Sequence, residues 1–199
     1  MQNYGYISII ALFFYCFIFL TFLAAKKVKI VNYFLLLVAT MICWAAGSAF
    51  MRLQLYPSYI FWYHVSLGGL LLMPYAYFLF VNAFADREER FFNCLYGILL
   101  LGLFLLNIPD GLFLRWPELV LKNGEASFEY HYTWRVALLF GAAAVVRLHC
   151  FVNVEHICRK DPWYKKQFQP IILGIICLFA GNLALLVPVF RGFPIDLVL

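Results

Sequence analysis

Six long apolar stretches, cut by short charged connections, constrain this 199-residue chain more than any other feature. They run Tyr4–Ala25, Ile30–Met51, Tyr59–Phe84, Phe91–Ile108, Tyr132–Val152 and Phe168–Phe190. A hydrocarbon layer about 30 Å thick takes about 20 apolar helical residues to cross. Five stretches meet that length, and Phe91–Ile108 sits near the lower limit. Five carry no Asp, Glu, Lys or Arg; only the fifth does, with Arg135 near one end and Arg147 near the other. The runs are continuous and do not alternate, and lipid tolerates no unpaired backbone, so helices are the spanning element. The expected fold class is therefore all-α: a polytopic membrane helix bundle of six transmembrane helices. A single sensor-type bundle over residues 1–199 is expected, with no soluble domain. Only 13% of residues are charged, against about a quarter in soluble domains, so lipid is the solvent for the outer surface.

The net charge of +5 gains meaning from its placement. Lys26, Lys27 and Lys29 follow the first span, Arg87 and Arg90 the third, and Arg159, Lys160, Lys165 and Lys166 the fifth. The opposite loops hold Arg52, Arg115, Lys122 and Arg191, which makes nine basic residues against four. Positive loops stay cytoplasmic. The expected topology puts the N-terminus outside, in the plasma membrane, and the three basic loops inside. Acidic residues Asp86, Glu88, Glu89, Glu155 and Asp161 are interleaved with the basic ones, which argues against a nucleic-acid patch. The first span lacks a basic n-region and is too long for a cleavable signal peptide. The six cysteines fall in spans or inner loops, so no disulfide framework is expected. No C-x-x-C pair suggests a metal, and no cofactor is expected.

Two inner connections are short, and Asp86 and Arg90, four apart, are read as extending helix three by a turn with an ion pair. The third, Asn153–Gln167, is longer, with Pro162 breaking any continuous helix. The long outer loop Pro109–His131 carries Trp116-Pro117, a turn signal at Asn123-Gly124, and Phe128, Tyr130 and Tyr132 alternating with Glu129 and His131. That alternation predicts a short extended piece at the interface, where aromatic residues settle. Small residues cluster at Ala45–Ala49, Gly68-Gly69, Gly141–Ala144 and Ala180–Ala184, as close helix packing in lipid demands. Pro74 should kink the third span.

Catalytic signatures are missing: no phosphate-binding Gly-rich loop, no H-E-x-x-H and no G-x-S-x-G. His64 and His149 lie near opposite faces, which disfavours a haem, and His149 and His156 read as a wetted helix end. The outer half of the bundle is more informative. Arg52 ends span two, His64 lies about one and a half turns into span three, Asn107 ends span four, Arg135 is one turn into span five, and Asn182 is in the outer half of span six. Singly, the arginines read as snorkelling to headgroups and the asparagines as caps or bridges. As a set, at one depth, they read as the lining of a ligand pocket beneath the outer loop, because polar groups in membranes face the bundle interior.

The whole chain resembles the N-terminal seven-transmembrane sensor region of bacterial histidine kinases and related signalling proteins. The residues that carry the resemblance are Ile42-Cys43-Trp44, Trp62, Gly69-Leu70-Leu71-Leu72-Met73-Pro74 leading to Tyr77-Phe78-Leu79-Phe80, Asn107-Ile108-Pro109, Asn182, and Gly192-Phe193-Pro194-Ile195-Asp196-Leu197. The family often has a His shortly after the Asn-x-Pro step. Here Asp110 and Gly111 stand there, so no ligand role for that His carries over. The resemblance implies a signal-input module and not an enzyme, binding an external or membrane-borne small-molecule or lipid signal. It also implies a homodimer, a seventh span after Leu199, and a cytoplasmic output domain. The alternative reading is a small multi-pass transporter or channel subunit, which would want polar groups near the bilayer middle.

Overall fold

The computed structural model describes residues 5–122, 125–130 and 133–160, with single positions 166, 169 and 173. Its elements are α1 (Gly5–Leu23), α2 (Lys29–Arg52), α3 (Tyr59–Phe84), α4 (Arg90–Asn107), a hairpin of β1 (Glu118–Lys122) and β2 (Glu125–Glu129), and α5 (Val136–Lys160). α2, α3, α4 and the Val136–Arg159 part of α5 are long and apolar enough to cross a membrane, and α1 adds a shorter apolar run. The sixth expected span, Phe168–Phe190, apart from positions 169 and 173, and the Asn123-Gly124 turn signal lie outside the described residues. The chain divides after Val146 into two compact units, Met1–Val146 and Arg147–Leu199, a boundary within α5.

In the first unit, short connections make consecutive helices antiparallel. α3 is its centre, with fifteen of 26 residues buried. α2 crosses it at glycine contacts. A methyl group at Gly69 would stand 2.5 Å from the Thr40 carbonyl oxygen and the Trp44 amide nitrogen, and one at Gly47 would collide with the Ser66 amide nitrogen and the Trp62 carbonyl. The Ser66 hydroxyl donates to the Trp44 carbonyl at 3.1 Å. Gly47 of the Ala45–Ala49 cluster and Gly69 are thus where backbones touch. α1 joins α2 through a buried hydroxyl pair, Ser8 Oγ and Ser48 Oγ, 3.2 Å apart. Its other side presents Phe13, Phe14, Phe17 and Leu20, and α4 presents Phe91, Ile98 and Leu106. Those faces suit contact with lipid chains.

Both ends of this packed core are closed by the same device. α2 and α3 each stop with a left-handed residue after the helix, Gln54 (φ 52°) and Asp86 (φ 50°). The Leu55 amide bonds to the Phe50 carbonyl and the Arg87 amide to the Asn82 carbonyl, so each end forms a Schellman motif. This replaces the expected extension of helix three through Asp86 and Arg90. Asp86 turns the chain out of the helix, and Arg90 opens α4 and pairs with Glu88 at 3.1 Å. Glu88 also receives Lys29 at 3.2 Å, tying the start of α2 to the α3–α4 connection.

The loop between α4 and α5 holds more regular structure than alternation at Phe128–Tyr132 implied. β1 and β2 pair antiparallel from Glu118 opposite Glu129 to Lys122 opposite Glu125. Leu119 and Phe128 share one face of the ribbon, Glu118 and Glu129 the other. In the second unit, α5 runs on through Asn153–Lys160, which the sequence assigned to a loop. No breaker precedes Pro162, and Arg159 bonds Glu155 one turn back at 2.6 Å.

Candidate functional site at the outer end

The helix ends opposite the Lys29–Glu88 contact converge on one buried cluster. Met51 from α2, Tyr63, Leu67 and Leu71 from α3, Phe113 and Leu114 from the loop after α4, and Leu139 from α5 pack together, with Phe128 of the hairpin and Val136 against them. Phe128 also lies 5.7 Å, ring to ring, from Tyr59. Apolar burial therefore binds three helix ends, the loop and the hairpin into one body.

Asn107, the last residue of α4, sets the loop's path. Its Oδ1 accepts from the amides of Phe113 and Leu114 at 2.9 Å each, and its Nδ2 donates to the Leu114 carbonyl at 3.2 Å. The side chain is wholly buried. Gly111 allows the turn between, at φ +58°, where an added methyl would stand 2.9 Å from the Arg115 Cα. Thr133 donates to the Phe113 carbonyl at 3.2 Å, and the Tyr63 hydroxyl reaches the Arg115 carbonyl at 3.5 Å. Trp62 closes the neighbouring turn by donating to the Leu55 and Tyr56 carbonyls.

Among the sequence-derived candidates, Arg52 is half-buried and follows Met51 of the cluster. His64 is half-buried, follows Tyr63, and presents its ring edge to Trp116 at 6.3 Å. Its Nε2 is buried without a hydrogen-bond partner among the described residues. Arg135 is exposed and stands just before α5, not a turn inside it. Asn182 lies outside the described residues. Asn107 ends α4, with its amide engaged by the chain's own backbone. Tyr63, Thr133 and Gly111 shape the site without having been singled out for it. A Tyr among the several of the third apolar span and a Thr at the start of the fifth carry no motif, while Trp116 was legible only as an interfacial aromatic.

Chemically, the outer end offers guanidinium groups, an imidazole with an open nitrogen and aromatic walls. Among the described residues no group of three or more His, Cys, Asp or Glu could hold a metal ion. No curated protein and no solved structure matches the chain. A family model described as the N-terminal 7TM region of histidine kinase matches residues 7–199. That match covers nearly the whole sequence and agrees with long apolar helices in a membrane-suited bundle, so the chain is a multi-pass membrane protein and belongs to the family of histidine-kinase N-terminal seven-transmembrane sensor regions.

Proposed function

We propose that this chain is the signal-input bundle of a bacterial signal-transduction protein. It takes an anionic or polar ligand at the outer end of the bundle, through Arg52, His64 and Arg135, with Asn107 shaping the site. It relays the ligand's arrival as a helix movement toward a cytoplasmic output domain. Catalysis belongs to that output domain and not to this bundle. The observation that carries the reading is the outer cluster of Met51, Tyr63, Phe113, Leu114 and Leu139. Anything that shifts the loop must shift the ends of α2, α3 and α5 with it, because packed cores move between discrete arrangements and do not deform smoothly.

The whole chain in lipid nanodiscs, titrated with a panel of small carboxylates and phosphates, tests the proposal through Trp fluorescence. Trp62 and Trp116 stand at the site. A saturable change is expected, weakened about tenfold or more by Arg52→Ala and by His64→Ala and unchanged by Lys122→Ala, since a desolvated charge-assisted hydrogen bond contributes roughly 1.5–3 kcal/mol. Saturable binding that survives both substitutions would exclude this site.

A further inference from the structure

The seam between α3 and α4 keeps a constant register. A methyl at Gly68 would stand 3.0 Å from the Phe104 ring, one at Gly97 3.1 Å from the Tyr75 ring, and the Phe78 and Tyr96 rings are 5.1 Å apart. Each step toward the Ala85–Glu89 connection on one helix is matched by a step on the other. One further turn carries Phe78 to Asn82 on α3, and one turn from Gly97 carries α4 to Asn93, so both asparagines lie on the seam, within a turn of one another. Leu100 and Tyr96, both buried, lie on this stripe of α4, and Asn107 ends it at the far side.

The asparagines at the two ends of the seam differ in one respect. The amide of Asn107 is satisfied by backbone. Asn82 is only 3% exposed, yet neither its Nδ2 nor its Oδ1 has a hydrogen-bond partner among the described residues, and the buried Oδ1 of Asn93 has none either. A buried amide without partners is costly, more so in a bilayer, where water does not reach it from outside. Such a group needs an occupant. Neither helix carries Asp, Glu, Lys or Arg from Tyr59 to Phe84 or from Phe91 to Asn107, and in the adjoining connection Glu88 pairs with Lys29 and Arg90, and Arg87 with Glu89. A cation would leave Nδ2 unmatched, and an anion would leave both Oδ1 atoms unmatched. A hydroxyl oxygen accepts from Nδ2 and donates to Oδ1.

We propose that the seam between α3 and α4, beside the Ala85–Glu89 connection, is a binding site for neutral hydroxylic guests held by Asn82 and Asn93. The same chemistry has two sources, water and the hydroxyl-bearing head of a lipid. The test uses the whole chain labelled with ¹⁵N-asparagine in vesicles of phosphatidylcholine, which has no free hydroxyl, and in vesicles containing phosphatidylglycerol. Solid-state NMR reads contacts of the Asn82 side-chain amide, assigned by its loss in Asn82→Leu or, should that variant fail to fold, by its loss in Asn82→Gln, whose amide is unlabelled. A contact to water in both vesicle types supports the site and names water. A contact to glycerol protons only in the second supports it and names the lipid. Asn93→Leu is expected to shift the Asn82 amide resonance in either case. An Asn82 amide in contact with neither source, or one unmoved by Asn93→Leu, overturns the proposal.

Discussion

The amide of Asn107 meets three backbone groups: the Phe113 and Leu114 amides and the Leu114 carbonyl. Asn107→Ala would leave the Phe113 and Leu114 amides buried and unpaired, a loss of about 2–6 kcal/mol at roughly 1–3 per orphaned group. Equilibrium unfolding of the reconstituted protein checks it; a loss under about 0.5 kcal/mol, the scale of an ordinary surface change, would mean the loop does not depend on this residue. Glu88 offers a test by pH. Hydrogen bonds from Lys29 and then Arg90 hold its carboxyl below the usual range. A carboxyl lowered by folding contributes stability above its unfolded pKa, about 4.3, and that contribution is lost as pH falls through and below this value. The gap in unfolding midpoint between the protein and Glu88→Gln should therefore be present at pH 7, narrow as pH drops below about 4.3, and shrink in high salt because the pair is exposed. Asn107 was legible in the sequence as a polar residue at an outer helix end. Its role was not, because its partners six and seven residues onward come within reach only once Gly111 has turned the chain.

Helix pairs are where glycine acquires its meaning. Gly47→Ala and Gly69→Ala would drive a methyl into the backbone of the facing helix, at a cost of about 1–3 kcal/mol or more for an overpacked contact. Gly102 and Gly141 meet nothing within 4 Å, so Ala there should be neutral or stabilising by up to about 1 kcal/mol through helix propensity. Unfolding midpoints of the four variants test the α2–α3 contact, and equal effects at all four would contradict it. Composition alone could not separate these glycines. Ala45–Ala49 and Gly141–Ala144 look alike in sequence, yet a methyl is barred at Gly47 and free at Gly141. Helix existence was legible throughout the described spans, since an uninterrupted apolar run in lipid has few alternatives. The hairpin was half legible: alternation flagged Phe128 and Glu129, but β1, Glu118–Lys122, shows its partner only through pairing. The inner end of α5 was missed because basic, polar residues read as loop, while their i,i+4 pairs continue the helix.

For the molecule as a whole, orientation rests on the distribution of Lys and Arg. We propose the N-terminus and hairpin outside and the Lys29–Glu88 contact inside. Single cysteines in a variant cleared of native thiols, at Asn123 and at Lys165, should react with an impermeant reagent from outside intact cells at the first position only. Labelling at position 165 would reverse the model. The helices in this bundle also differ in reach. α3 has 26 residues and α4 has 18, so they measure about 39 Å and about 27 Å along their axes. The shorter fits inside a hydrocarbon slab about 30 Å thick and the longer does not. Sharing one slab, α3 has to lean or protrude while α4 draws the surface in around its ends. A change in bilayer thickness therefore pushes the two neighbours in opposite senses, and it does so along the seam that carries Asn82 and Asn93.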